Sequence, residues 1–249
     1  MIKFFRRIRQ QLLSQNRFSK YLIYAVGEIV LVVIGILIAL SINNWNENRK
    51  ERQEETAILT ALEADLIESK KRLNSTLKQQ NKVIKNNALM LDILEHKVDV
   101  NEHLDSIGEI FNWGFLVFHR AEPVTGAYDA MTGAGKTALI QNQDLSRLLA
   151  EYFTEIKMGY EDHEYGMIVT QLVLDRTASY NGPLHVQNRR NLGRSKEILE
   201  ATDRLVNDQS LLGLLARKSG IEWRRRSRQK KLLSYVDELL ELIKLELDD

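Results

Sequence analysis

Residues 21–42, YLIYAVGEIVLVVIGILIALSI, are an apolar run of 22 residues with one charged side chain, Glu28. As a helix rising about 1.5 Å per residue, this run reaches about 33 Å, enough to cross a hydrocarbon layer of about 30 Å. It predicts one transmembrane helix. Residues 1–20 carry Lys3, Arg6, Arg7, Arg9, Arg17 and Lys20 and no acid, whereas Arg49, Lys50 and Arg52 beyond the run are interleaved with Glu47, Glu51, Glu54 and Glu55. That bias predicts a cytoplasmic N-terminus over 1–20 and a periplasmic body over 43–249. The net charge of +1 hides the asymmetry, because residues 1–20 hold +6 and the body is left at −4. Ala39 and Ser41 have the small-x-small spacing of a signal-peptidase site, but the run exceeds the roughly 7–15 apolar residues of a signal peptide and contains Glu28, so an uncleaved anchor is the expectation.

A carboxylate at the centre of a membrane helix costs on the order of 2.5–3.5 kcal/mol on insertion scales. Glu28, Val32, Gly35 and Ala39 fall on one helical face, and the two small residues permit close approach of a second helix. Glu28, Gly35 and Ala39 are therefore the candidate residues for membrane-helix association. Snorkelling of Glu28 to the cytoplasmic interface and a proton or ion role are the competing readings. Tyr21 and Tyr24 at one end, and Trp45 within NNWNEN at the other, are candidate interfacial anchors.

The stretch MIKFFRRIRQQLLSQNRFSKYLIYAVGEIVLVVIGILIALSINNWNENRK closely resembles the N-terminus of an uncharacterised family of single-pass membrane proteins abundant in Bacteroidota. A looser similarity continues through AYDAMTGAGKTALIQNQDLSRLLAEYF and the leucine-rich C-terminal helix. The resemblance implies single-pass topology and a bacterial inner membrane. It carries over no activity, catalytic residue or ligand.

Only Pro123 and Pro183 interrupt the chain as prolines, so long stretches lack helix breakers and the expected fold class is all-α. From Glu47 to about Leu94 the residues Leu59, Leu62, Leu66, Leu73, Leu77, Ile84, Leu91 and Leu94 keep to one stripe, which predicts a stalk helix continuing the membrane span. Such a stripe needs other helices to cover it, and an elongated extracytoplasmic helical bundle is the architecture expected. Residues 95–142 are the irregular part, with FNWGFLVFHRAEP tucked against the bundle end. Helix resumes near Thr125, breaks at 133–135, and restarts behind Asn142 or Asp144 as a cap. A second stripe follows through Leu145, Leu149, Tyr152, Ile156, Tyr160, His163, Met167, Thr170 and Leu174. The segment NGPLHVQNRRNLGR reads as a loop, and helix restarts at Ser195. In the last helix, from about Asp208, Leu233, Val236, Leu240, Ile243 and Leu247 form a heptad seam.

No constellation in the sequence reads as a reaction. Ala130-Met-Thr-Gly-Ala-Gly-Lys-Thr137 fits a relaxed phosphate-binding loop in which Lys136 would reach phosphate and Thr137 would hold Mg²⁺. No strand precedes it and no βαβ pattern occurs, so a helix–turn–helix corner is the expectation. The basic run from Trp223 to Lys231 reads as a solvated or cross-paired helix face, paired with Glu63, Asp65 and Glu68 if the last helix runs parallel to the first; binding of an acidic partner or polysaccharide is the alternative. His96, His103, His119, His163 and His185 show no metal-ligand spacing, and EDHE at 161–164 is the nearest approach to a cluster. The chain has no Cys, which removes disulfides, thiolate metal sites and cysteine nucleophiles. No cofactor, metal or nucleic-acid partner is expected. The expected partners are membrane lipid and a second copy of the chain or another envelope protein, in a scaffold or accessory role, with ligand sensing without a cytoplasmic output domain as the alternative.

Overall fold

The computed structural model describes residues 18–248, apart from the side chains of residues 18–21, 24 and 160–162. Helix α1 spans Phe18–Leu94, and a short turn at Val100–His103 leads to α2, Ile107–Phe111. A wide π-type turn, Asn112–Leu116, is followed by α3, Gly126–Gly133, and a tight turn at Thr137–Leu139. The remaining helices are α4, Gln143–Thr177; α5, Asn181–Val186; α6, Lys196–Val206; and α7, Gln209–Asp248. No strand occurs among the described residues, so the all-α expectation holds. The helix expected to run on from the apolar segment to about Leu94 is present as α1. Contacts divide the chain within α1 into two units, 1–56 and 57–249.

In the first unit, the large apolar side chains between Leu22 and Ile42 are exposed. Among the described residues, α1 is the one helix long and apolar enough to cross a membrane, and no residue of its apolar window is buried.

The second unit is organised by three seams of buried residues. In α1 they fall at 59, 62, 66, 69, 73, 80, 83, 87, 90 and 94, at steps of three and four with one omission. This is the expected stripe as far as Leu73. Beyond it the seam takes Gln80, Val83, Asn87 and Met90 rather than Leu77, Ile84 and Leu91, which are only half-buried. In α7 the seam runs 211, 215, 218, 222, 225, 229, 232, 236, 239 and 243, so Leu232 and Leu239 are buried where Leu233 and Leu240 were expected. In α4 it continues from Ile156 to Gly166, Thr170, Val173 and Thr177, while Met167 is exposed.

Helix direction departs from the parallel arrangement entertained for the last helix. Lys70, Gln80 and Asn87, ascending α1, meet Asp237, Glu222 and Leu215, descending α7, so these helices are antiparallel. Glu151 and Glu155 of α4 likewise meet Tyr235 and Lys231. The expected cap of α4 is realised at Asn142, whose Oδ1 accepts the Leu145 N–H at 3.0 Å. The segment read as a loop contains the short helix α5, which the contact with α2 holds in place. There the buried Gln187 accepts from Gly108 N at 2.7 Å and donates to the carbonyls of Leu104 and Gly193.

A Cβ on Gly108 would lie 2.3 Å from the Leu184 carbonyl oxygen, whereas one on Gly213, exposed in α7, meets nothing within 4 Å. Gly108→Ala is therefore expected to destabilise the full chain by about 1–3 kcal/mol, and Gly213→Ala to stabilise it by about 0.5–1 kcal/mol. Denaturant unfolding in detergent, followed by circular dichroism, measures both.

Candidate functional site

The apolar core of the second unit is in two clusters. One gathers Leu59 to Leu73, Leu145 to Ile156 and Leu232 to Ile243. The other gathers Met90 to Phe115, Val173 to Leu184 and Leu205 to Leu215. Between them the seams turn largely polar: Gln80 and Asn87 on α1, either side of the apolar Val83, and Lys218, Glu222, Arg225 and Gln229 on α7, all buried. On α4 the corresponding positions are Gly159, His163 and Gly166. The missing side chain of Gly166 makes room for the extended segment 117–125. A Cβ on Gly166 would fall 2.1 Å from Phe118 Cζ, so the Phe118 ring occupies the volume that glycine leaves.

Polar side chains satisfy backbone groups of this segment and of the residues flanking it, from Gly114 to Ala127. Asn87 donates to the Gly114 carbonyl at 3.2 Å, Lys218 Nζ to the Val117 carbonyl at 2.8 Å, and Arg225 Nη2 to the His119 carbonyl. Further along, Arg72 donates to the Glu122 carbonyl, Ser69 Oγ accepts from Val124 N, and Asp65 accepts from Ala127 N. The Arg225 guanidinium lies 3.5 Å over the Phe118 ring, and Lys218 Nζ is 5.4 Å from its centroid.

Glu222, 1% exposed, is the buried carboxylate among the described residues of the layer. It accepts from Gln80 Nε2 and Arg225 Nη1 at 3.2 Å, with Lys218 Nζ at 3.7 Å. Two buried cations thus share one anion. Burial pushes the Lys218 ammonium down to about 8 and Arg225 adds to the effect, against the opposing pull of Glu222. Burial also lowers His119 and His163; the positive charge of Arg225 and Lys218 reinforces this at His119, and that of Arg120 and Arg225 at His163. Both shifts favour the neutral imidazole.

Beside this layer lies a cavity of about 50 Å³ lined by Arg120, Ala121, Pro123, Ile156, Gly159, Arg225, Arg228, Gln229 and Leu232. Among the described residues its wall carries three arginines. The Oε1 of Gln229 is buried with no hydrogen-bond partner among the described residues. No group of three or more His, Cys, Asp or Glu among the described residues could hold a metal ion.

Of the residues singled out from sequence, Arg225, His119 and His163 meet in this layer. Glu28, Gly35 and Ala39 share a face of α1 in the first unit, where a Cβ on Gly35 would meet nothing within 4 Å. Trp45 is exposed, with Arg49 Cζ 6.0 Å from its ring. Tyr21 and Tyr24 lie in α1, but their side chains are outside the described residues, as are those of Glu161 and Asp162 and the N-terminal residues 1–17. The glycine-rich 130–137 segment is the stop of α3: Ala134 N, Gly135 N and Lys136 N donate to the carbonyls of Ala130, Thr132 and Met131, and Gly135 takes φ +67°. Amides turned back onto their own helix do not form a phosphate cradle. The basic run pairs elsewhere than expected, because α7 is antiparallel to α1. Arg225 meets Glu222 on its own helix, and Arg228 and Lys231 meet Glu155 of α4. Lys218, Glu222 and Gln229 were missed, although their three- and four-residue spacing continues the leucine seam of α7 upstream.

The unfolded Lys218 side chain keeps its proton up to about 10.5, while the folded one releases it near 8. Between these values the unfolded state binds more protons, so this group makes stability rise with pH, by on the order of 3 kcal/mol in total. Unfolding of the full chain across this pH range measures the slope, and Lys218→Met is expected to flatten it.

Comparison with known proteins adds one finding. No curated protein and no solved structure matches the chain. A family sequence profile matches residues 28–207, well over half of the chain, from Glu28 in the apolar segment to just short of α7. The chain belongs to the family of unknown function designated DUF6090.

Proposed function

We propose that the chain is a single-pass protein of the bacterial inner membrane, with its N-terminus cytoplasmic and a helical bundle over 43–249 in the periplasm. It acts as a structural or accessory subunit by associating with a second copy or with another envelope protein. The observation that carries this reading is the uncovered apolar surface of the first unit, where the large side chains from Leu22 to Ile42 are exposed. Leaving such side chains in water forfeits about 1.5–3 kcal/mol each, so lipid and protein neighbours are their proper surroundings. Within that surface, Glu28, Gly35 and Ala39 supply a polar group and two small residues on one face, the chemistry by which membrane helices pack. The acid-free basic stretch before the apolar run supports the orientation.

Two measurements test this reading. Because the native chain has no Cys, Lys230→Cys should react with a membrane-impermeant maleimide in cells whose outer membrane is permeabilised, while Ser14→Cys should stay protected. The reverse pattern would invert the topology. In mild detergent, light scattering should show an oligomer or a stoichiometric complex that the double variant Glu28→Leu, Gly35→Leu dissociates; unchanged assembly would remove the membrane face from the proposal.

A further inference from the structure

We infer that the outer edge along which α1 and α7 meet is a docking groove for an acidic amphipathic helix of another envelope protein. The inference rests on the reading of the chain as an associating subunit and names the chemistry of its partner.

One ion pair sets the register of this edge: Lys70 of α1 meets Asp237 of α7 at 2.7 Å. Residues seven apart on a helix share a face. Because the two helices are antiparallel, stepping seven residues along each puts Leu77 level with Lys230, and a second step puts Ile84 level with Trp223. Leu77 and Ile84 are half-buried and lie outside the core seam, and Trp223 is 54% exposed. Together they make a second apolar stripe beside that seam, at the spacing by which a further helix packs.

The charge of the edge has one sign. From Ser69 to Leu91 α1 carries no acid, and from Trp223 to Val236 α7 carries none. Asp237 answers Lys70, but Lys78 and Lys85 on α1 and Arg226 and Lys230 on α7 make no ion pair among the described residues. Arg226 Nε is buried without a hydrogen-bond partner among the described residues, and its guanidinium lies 5.2 Å from the Trp223 ring. Helix α4 runs along a different edge of α7, where Glu155 meets Arg228 and Lys231, so these four cations do not belong to the α4 side of the bundle. A helix edge stabilised in solvent by its own ion pairs alternates in sign, and this one does not.

Both features narrow the occupant. A small anion would leave Leu77, Ile84 and Trp223 unused, and a second copy laid parallel on this edge would set the same cations against one another. A helix with an apolar stripe flanked by acids every seven residues meets both demands, because Lys78 and Lys85 stand about 10.5 Å apart along α1, the same two-turn repeat. Trp and Arg are the side chains that most often dominate the binding energy of protein interfaces. Trp223, with Arg226 over its ring, puts both at the middle of the edge.

The test is photo-crosslinking of the full chain in the cells that make it, with p-benzoylphenylalanine at Asn81, exposed on this edge, and for comparison at Thr154, exposed on α4. Sequencing of the cross-linked peptides by mass spectrometry should find, from position 81 and not from 154, a segment of another protein in which Asp or Glu flanks apolar residues at three- and four-residue steps. Lys78→Glu combined with Lys230→Glu should lower the yield about tenfold or more, whereas Lys78→Arg combined with Lys230→Arg should keep it. Both lysines are exposed, so native circular dichroism of the charge-reversed chain separates loss of the site from loss of the fold. Adducts only to this chain's own peptides, to lipid or to glycan, no adduct at all, or a yield that charge reversal leaves unchanged would each overturn the inference. The Glu28→Leu, Gly35→Leu chain tells the two readings apart. If that variant dissociates the complex in detergent while position 81 of the otherwise native chain yields no adduct, the groove fails and association through the membrane face stands.

Discussion

A backbone that leaves its helix inside a helical core has no ladder to satisfy it, and the extended segment 117–125 is in that position. It touches all three long helices: Phe118 fills the space at Gly166 of α4, Lys218 and Arg225 of α7 donate to the Val117 and His119 carbonyls, and Ser69 of α1 accepts from Val124 N. Each of these groups, unpaired, would cost about 1–3 kcal/mol. The polar residues on the seams are placed to meet that demand. Two clean apolar clusters with a polar layer between them follow from one irregular segment.

Lys and Arg donate and do not accept, so satisfying carbonyls with them brings positive charge indoors. Glu222 answers part of that charge and is itself tied by Gln80. Taking two cations and one carboxylate out of water costs several kcal/mol per ion, which close pairing and hydrogen bonding offset. The lowered Lys218 ammonium is the signature of that tension. Beside Gly159 of α4 the same layer borders a small cavity lined by Arg120, Arg225 and Arg228.

The first unit obeys different rules. Its surface between Leu22 and Ile42 is apolar on every side, so no single face marks a core. The distinguishing features along it are one carboxyl group and two small residues, and these acquire meaning only from the medium and neighbours around the helix.

Sequence alone determined the helical class, the apolar segment and the long helix ending at Leu94, because absent breakers and an unbroken hydrophobic run are local properties. It also narrowed the cap of α4 to Asn142 or Asp144 and placed the stop at 133–135, since capping depends on residues within one turn. The seams were legible only where leucine marks them. At Gln80, Asn87, Lys218, Glu222, Arg225 and Gln229 the periodicity continues in residues that hydrophobic pattern-matching discards. In the C-terminal helix, leucines at 232, 233, 239 and 240 fit two overlapping seams, and only the antiparallel fit against α1 and α4 selects one. The direction of α7, the pairing of its basic run with Glu155, and the cavity beside Gln229 were decided by tertiary structure. Each depends on groups dozens of residues apart meeting across the core, and no local propensity encodes that register.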